Sequence, residues 1–533
     1  MSSDKRMSSD TLEEIIALEG YIDGRRLNLA IASQMGIPQV DLKVQALDPS
    51  VAKQIPESIA RRYTVFPIAV KDKNITIAVH DPRDIRAVDD VRLATGKRVS
   101  VVLSDQADIL NLINRFYDHS EEATQAVDEY TADLDQDVKE FGESEDISAS
   151  PVVRLVNTII TQASKMEASD IHMEPFENDV RIRYRIDGEL REIMRVNKVM
   201  FNSMAIRIKV IGGMDISERR KPQDGRVETS VDGKPYDLRL SILPTVFGEK
   251  IVLRLLDRSS TLMTKEELGF SKTNIERFNQ IISVPEGIIL LTGPTGSGKT
   301  TTLYAVLAEL NAISKNIITV EDPVEYRLDG VNQVQVNNLA GLTFTTGLRS
   351  ILRQDPDIVM VGEIRDTETA QIAFRAAITG HVVLSTLHTN DTVSSLTRLI
   401  DMEVPAYLVS TAVVGIVAQR LVKRLCRYCR RSGKTTEAEM ELLGITEPAV
   451  IYHAVGCNEC GQTGYRGRTA IHEVLVMNRQ IRDLIAKNTP IDEVKDAAVA
   501  DGMHTLHQSC AELVLEGRTT LEQLLRVTQT EDE

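Results

Sequence analysis

Tryptophan is absent from the 533 residues, and Phe, Tyr and Trp together make up only 4%. Few aromatic faces are left to stack bases, which counts against a single-strand nucleic-acid surface. Positive charge is also short, with 62 Lys and Arg against 78 Asp and Glu, a net charge of −16. That balance argues against a generally basic nucleic-acid binder and leaves room only for local basic patches. No apolar run reaches the ~18 residues needed to cross a bilayer. The polar opening MSSDKRMSSD lacks the apolar core of a signal peptide. A cytoplasmic chain is expected. Cysteine is scarce, five in all. What is present is ordinary for a globular protein, 42% hydrophobic and 26% charged. The length suits roughly three or four domains.

A first α+β block spans residues 1–118. It has helix-like spacing at Leu12, Ile15, Ile16, Leu27, Ala30 and Ile31, then strand-like runs at Thr64–Phe66 and Ile75–Val79. No catalytic cluster falls in it, so docking is its expected role. Residues 119–150 carry eleven acidic residues against the single Lys139, which reads as a solvated linker. A second α+β block covers 151–258. Val152–Ala163 is amphipathic, Val180–Ile186 and Asp237–Ile242 alternate as strands, and Asp187-Gly188 and Asp232-Gly233 mark hairpin turns. After a connector at 259–272, residues 273–420 alternate strands and helices as a parallel α/β sheet does. The strands are expected at Gly287–Thr292, Ile317–Val320, Ile358–Val361 and His381–Ser385. The remainder divides into a cysteine-bearing module, 421–470, and a helical region, 471–533.

The strongest chemical signal is Gly293-Pro294-Thr295-Gly296-Ser297-Gly298-Lys299-Thr300, which satisfies G-x-x-x-x-G-K-[ST] between a strand-like run and a helix-like one. Glycines let backbone N–H groups converge on phosphate oxygens, and the helix N-terminus beginning near Thr301 adds its positive dipole end. Lys299 supplies a point charge to the β/γ-phosphates, and the Thr300 hydroxyl is placed to ligate Mg²⁺. Hydrolysis also needs carboxylates near the metal and the attacking water. Two acidic clusters follow successive strands, Glu321-Asp322-Pro323-Val324-Glu325 and Glu363-Ile364-Arg365-Asp366, where an open α/β sheet presents its ligand crevice. His381 and His388 bracket Val-Val-Leu-Ser-Thr-Leu. In one continuous strand they would face opposite sides, and a histidine beside a strand is more often structural.

Cys426-x-x-Cys429 and Cys457-x-x-Cys460 are separated by 27 residues. Paired knuckles of this kind suit a closed, structural Cys₄ zinc site; buried thiols are the alternative. Cys510 sits in a helical apolar pattern and reads as core.

Segments Gly293–Thr300, Glu321–Glu325, Asp355–Asp366 and Gly380–Asn390 resemble the four boxes of the secretion-superfamily traffic ATPases, the motors of type II secretion and type IV pili. Ser169–Pro175 (SDIHMEP), the cysteine pairs and Gly464–Arg468 add to the resemblance, which runs from about Pro151 onward and more loosely over Thr11–Tyr117. It implies a RecA-like ATPase core and an ATP-hydrolysing homo-hexamer at the inner face of the inner membrane, bound to platform and cytoplasmic-domain proteins. Glu325 matches the water-orienting carboxylate, Glu363 the Walker B acid near Mg²⁺, and His388 the His box that His381 begins. Arg239 and Arg254 match arginines that reach the nucleotide phosphates. Arg349 and Arg353, four apart on one helix face, match a further pair near the subunit interface. The zinc module resembles that of extension motors more than retraction motors. Thr300–Tyr304 and Val413–Val422 look closer to the type II secretion branch. A retraction motor and a nucleotide-gated DNA translocase are the rival readings. Some members bind cyclic di-GMP through an R-L-G start. Ile16, Gly20, Ile22, Leu27 and Gln34 keep the later spacing here, but Thr11-Leu12-Glu13 stands at the start, so tight binding is not expected.

Overall fold

Asp187-Gly188 and Asp232-Gly233 take φ of 51° and 87°, and of 50° and 78°. Successive positive φ angles make a two-residue turn whose twist matches that of its flanking strands. Each pair closes an antiparallel hairpin, as expected. The computed structural model describes residues 32–43, 49–52, 54–117, 151–258 and 263–529. The helix-like spacing at Leu12–Ile31 and the acidic segment 119–150 lie outside the described residues. The chain divides into two units, Met1–Ser259 with Gly456–Gln462, and Ser260–Val455 with Thr463–Glu533.

In the first unit, β1 (Val65–Lys71), β2 (Asn74–Val79) and β3 (Arg98–Leu103) form a three-stranded sheet in sequence order. Helices α1 (Glu57–Tyr63), α2 (Ile85–Thr95) and α3 (Gln106–Tyr117) accompany it. Phe66, Ile68, Ile109 and Ile113 are buried together. Further along lies α4 (Pro151–Lys165), which buries Val152, Leu155, Val156, Ile159, Ile160 and Ala163, the stripe its 3.6-residue period dictates. That stripe packs with a six-stranded antiparallel sheet of order β6-β5-β4-β9-β8-β7. Its strands are β4 (Asp170–Pro175), β5 (Val180–Ile186), β6 (Glu189–Val196), β7 (Gln223–Val231), β8 (Lys234–Thr245) and β9 (Gly248–Asp257), with α5 (Lys198–Ile211) between β6 and β7. In β5 the sequence VRIRYRI buries Val180, Ile182, Tyr184 and Ile186 and turns its three arginines to the other face, following the two-residue strand period.

The second unit opens with α6 (Lys272–Ile282), β10 (Gly287–Thr292), α7 (Lys299–Leu310), β11 (Ile317–Glu321) and β12 (Asn332–Gln335). Then come α8 (Phe344–Ile351), β13 (Ile358–Val361), α9 (Thr367–Ile378), β14 (Val382–Leu387), α10 (Thr392–Asp401) and α11 (Ala406–Ala412). With β15 (Val413–Leu425) and β18 (Tyr465–Val476), the sheet has seven strands in the order β12-β11-β13-β14-β10-β15-β18. Six are parallel neighbours, and the last, β18, is antiparallel to β15. Strands β10, β11, β13 and β14 are buried along their whole length, as parallel strands covered on both faces must be. Ile288 and Leu290 face one core with Phe374, Leu396 and Val409. Ile289 and Leu291 face the other with Phe278, Leu303 and Leu307.

Strand β15 spans Val413–Leu425 and pairs with β18, Tyr465–Val476. The boundaries expected after Arg420 and after Ala470 therefore fall inside two paired strands. The apolar run of β15 continues past Arg420 because its partner lies alongside it. The cysteine segment is an excursion between these strands, with β16 (Arg431–Lys434), α12 (Glu437–Leu443) and β17 (Val450–His453). Helices α13 (Arg479–Ala486), α14 (Ile491–Ala500), α15 (Leu506–Leu515) and α16 (Leu521–Gln529) follow β18. Cys510 is fully buried in α15, as its pattern implies.

Candidate active site

The phosphate loop links the end of β10 to the start of α7. Its backbone conformation requires glycine at two places. Gly293 has φ of 145°, and a Cβ there would meet the Gln419 carbonyl oxygen at 2.4 Å. Gly298 has φ of 88°, and a Cβ there would meet Gln419 Nε2 at 2.8 Å. Gly298 is also the N-cap of α7 and offers no side-chain cap bond, so the first N–H groups of the helix are left to an anion. Lys299 is 8% exposed. Its Nζ donates to the carbonyls of Gly293 at 2.7 Å and Pro294 at 3.2 Å. Burial pulls the ammonium down to about 8, with Arg420 pushing the same way and Glu363 opposing. A bound polyphosphate is the natural compensation for a cation so placed. The Thr300 hydroxyl, half-buried in the first turn of α7, has no hydrogen-bond partner among the described residues. That suits the role of a magnesium ligand.

The two acidic clusters stand at the C-terminal ends of β11 and β13, with β14 between β13 and the loop-bearing β10 in the sheet order. Glu363 follows β13 with its side chain 13% exposed. It is paired to the Arg365 guanidinium and lies 3.3 Å from His388 Nε2. His388 directly follows β14. Burial and the charge of Lys299 lower its pKa against the pull of Glu363, which leaves the imidazole largely neutral at pH 7. The loop bearing His388 is tied to the end of β10, since the Thr389 N–H donates to Thr292 Oγ1 at 2.9 Å. Glu321, at the end of β11, is buried and accepts hydrogen bonds from Tyr304, from Thr319 at 2.5 Å and from Gln333 at 3.1 Å. Asp322 is exposed and Glu325 half-buried in the following loop.

Two expected site residues are placed differently. His381 precedes β14 rather than beginning it. It therefore lies at the other end of that strand from His388. Its Nδ1 is 3.0 Å from the Ala376 carbonyl near the end of α9, a helix-terminal role. Arg353 lies beyond the end of α8, so it does not share a helical face with Arg349. Instead it donates to the Arg349 carbonyl at 2.8 Å and to Ser350 Oγ at 3.1 Å, covering the end of that helix. Arg349 pairs with Glu368 at 2.6 Å.

Arg239 and Arg254 lie in the first unit, opposite each other on β8 and β9. Cross-strand register extends the row on both sides, giving Arg185, Asp170, Arg254, Arg239 and Arg226 across β5, β4, β9, β8 and β7. Asp170 is buried and takes Arg254 Nε at 2.9 Å and Arg185 Nε at 3.6 Å. Asp237, 1% exposed, takes Arg226 Nε at 2.7 Å and Arg239 Nε at 3.9 Å. Arg254 remains 60% exposed, so its terminal nitrogens stay accessible to an anion.

The four Sγ atoms of Cys426, Cys429, Cys457 and Cys460 lie within 4.8 Å of one another, all buried. Tetrahedral zinc with Zn–S of about 2.3 Å puts its sulfurs about 3.8 Å apart, and Cys457 Sγ and Cys460 Sγ are 3.8 Å apart. The Cys457 N–H points to Cys460 Sγ at 3.2 Å. Donor type, burial and spacing all fit zinc.

Several supporting residues escaped motif reasoning. Gln419, 1% exposed in β15, donates to the Ser297 carbonyl at 2.7 Å and accepts from Thr302 Oγ1 at 2.8 Å, so it braces the phosphate loop and α7 together. Arg420 donates to Asn390 at 3.1 Å. Buried Glu473 accepts from the first N–H groups of α10 and α15, Thr392 at 3.0 Å and Leu506 at 3.3 Å, and burial raises its pKa. The available signal was a polar residue inside an otherwise apolar strand, in VVGIVAQRLV and TAIHEVLV.

A parallel sheet with a glycine-rich loop at the end of central β10, His388 after the adjoining β14 and carboxylates after β13 and β11 is the arrangement of an ATPase core. The DotB ATPase of Legionella pneumophila has the same fold at TM-score 0.55 and 23% identity, over 72% of this chain and 98% of that one. The chain belongs to the Type II/IV secretion system protein family, whose description matches residues 145–526, and residues 35–123 match the MshEN domain. It is 41% identical to the type IV pilus assembly ATPase PilB of Myxococcus xanthus, over 95% of this chain and 91% of the relative. It is 42% identical to type II secretion system protein E of Dickeya dadantii, over 91% and 98%. Identity to PilB of Thermus thermophilus is 42% over 98% of this chain, which spans 60% of that longer relative. Among the described residues no helix is long and apolar enough to cross a membrane.

The cysteine geometry has a direct test. Protein purified without added metal should carry one zinc per chain by elemental analysis. Cys457→Ser should lose that zinc and lower the thermal stability of the module, while nucleotide binding at the phosphate loop persists. Wild-type protein free of zinc would contradict the assignment.

Proposed function

We propose that the chain hydrolyses ATP and, as a ring of six copies, powers assembly of a pseudopilus or a type IV pilus. The observation that carries this reading is the placement of Lys299, Glu363 and His388 at the ends of neighbouring parallel strands, with Glu325 on the adjoining loop. The loop N–H groups and Lys299 hold the phosphates. Glu325 orients the attacking water, and His388, neutral and bonded to Glu363, fixes the carboxylate's direction. Thr300 and Glu363 would hold magnesium, which neutralises charge on the β- and γ-phosphates when bound. Arg239 and Arg254 supply charge from a different unit, so nucleotide state becomes a switch for domain position. The four-cysteine cluster supports assembly over retraction, and the net charge of −16 weighs against DNA translocation.

The ring acts at the cytoplasmic face of the inner membrane through platform and cytoplasmic-domain partners that the N-terminal block docks. That block does not hold cyclic di-GMP tightly. Thr11-Leu12-Glu13 lies outside the described residues, and Glu13 sets a negative charge where a dianionic ligand needs an arginine fork and a glycine. Calorimetric titration of the full chain with cyclic di-GMP should show no binding at micromolar concentration. A micromolar or tighter dissociation constant would overturn this part of the reading.

Glu325→Gln tests the hydrolytic reading. The variant should bind ATP near wild-type affinity and turn it over at least ~10²-fold more slowly, as for loss of a group that acts in the transition state. Unchanged turnover, or affinity lost together with turnover, removes Glu325 from the water-orienting role.

A further inference from the structure

We propose that Tyr304 is a positioning residue for hydrolysis, holding the loop that carries Glu325 at a set distance from the phosphate loop. The inference rests on the reading of Glu325 as the water-orienting carboxylate. Tyr304 lies on α7, the helix that Lys299 begins, and is fully buried. Its hydroxyl donates to Glu321 and accepts from the Glu325 N–H at 3.2 Å and from Gln333 Nε2 at 3.3 Å. One donor and both acceptor positions are thus in use. The ring is clamped edge-on by Tyr326 at 4.5 Å and 75°.

Glu321 is a firm anchor for that hydroxyl. It is 3% exposed and held from three sides by neutral donors. Its backbone carbonyl also accepts from Val336 at 2.8 Å, so the end of β11 is fixed against the chain that follows β12. The loop beyond it, by contrast, is partly open to solvent from Asp322 through Arg327. Tyr304 reaches into that loop at the backbone of Glu325. Helix α7 and a ring with two rotatable bonds therefore set the separation of Lys299 from Glu325. A buried phenol beside a buried acid is a poor choice for packing alone, since an apolar ring fills the space without desolvating a hydroxyl. Burial and the neighbouring Glu321 raise the Tyr304 pKa far above that of a free phenol, so the hydroxyl keeps its proton and its donor role at any working pH.

Tyr304→Phe in the full-length assembled protein keeps the ring and removes the three bonds. The expected result is a kcat about tenfold lower, the scale of the one buried hydrogen bond that reaches the Glu325 loop, with KM for ATP within about twofold of wild type. Combined with Glu325→Gln, it should cause no further loss, because both changes act on one group. A purely structural lesion would lower kcat in either background and raise KM. Wild-type kcat in Tyr304→Phe, a rise in KM matching the fall in kcat, or additive losses in the double variant each overturn the proposal. Unchanged turnover in Glu325→Gln alone instead overturns the reading of Glu325. If Tyr304→Phe does not fold, Gln333→Leu, which removes the amide bridging Tyr304 and Glu321, carries the same expectation at smaller size; wild-type kcat there would also overturn it.

Discussion

The ammonium of Lys299 is the placement on which the nucleotide end of the second unit depends. It is nearly buried, its pKa is pulled down to about 8 by that burial, and it is held against carbonyls of its own loop. A cation kept out of water in this way is useful only if negative charge arrives to meet it. The surrounding features serve that arrival. Glycine lets the loop backbone pass within a bond's reach of Gln419, α7 presents uncapped N–H groups, and Glu363 stands close enough to oppose the downward shift.

Around this charge the fold builds a rigid frame from buried polar side chains with neutral partners. Gln419 joins the loop to β15, Glu321 joins β11 to α7 through Tyr304, and Glu473 receives the first turns of α10 and α15. Each is buried and hydrogen-bonded, the condition under which interior polar groups specify geometry without a penalty for unmade bonds. A phosphate loop borne on such a frame is held in register with the carboxylates that follow β11 and β13. Precise placement of this kind is what positioning catalysis requires.

Much of this was legible in the sequence, and the gaps have physical causes. The phosphate loop, the two hairpins, the buried parallel strands and the cysteine cluster are local signals, written within a few residues of one another or in pairs of fixed spacing. The outer boundaries of the cysteine module were misplaced because β15 and β18 pair across some forty intervening residues, and pairing partners leave no local mark. His381 looked like part of a site because it begins a motif, yet strand direction sends it to the far end of β14. Arg353 looked helical by its spacing from Arg349, but α8 ends first. Tyr304 and Gln419 carry no motif at all; their roles rest on what folds against them.

The arginine row shows the same logic in the first unit. Antiparallel register, not sequence proximity, brings Arg239 and Arg254 together, and buried Asp170 and Asp237 hold the guanidinium groups by their Nε atoms. The central claim is that turnover needs charge from this row as well as from Lys299. It is tested most directly by steady-state ATP hydrolysis of the full chain carrying Arg239→Ala and Arg254→Ala together. The account predicts assembled protein that still binds ATP, with kcat lower by ~10³-fold or more, the scale of a lost arginine finger; turnover close to wild type would contradict it.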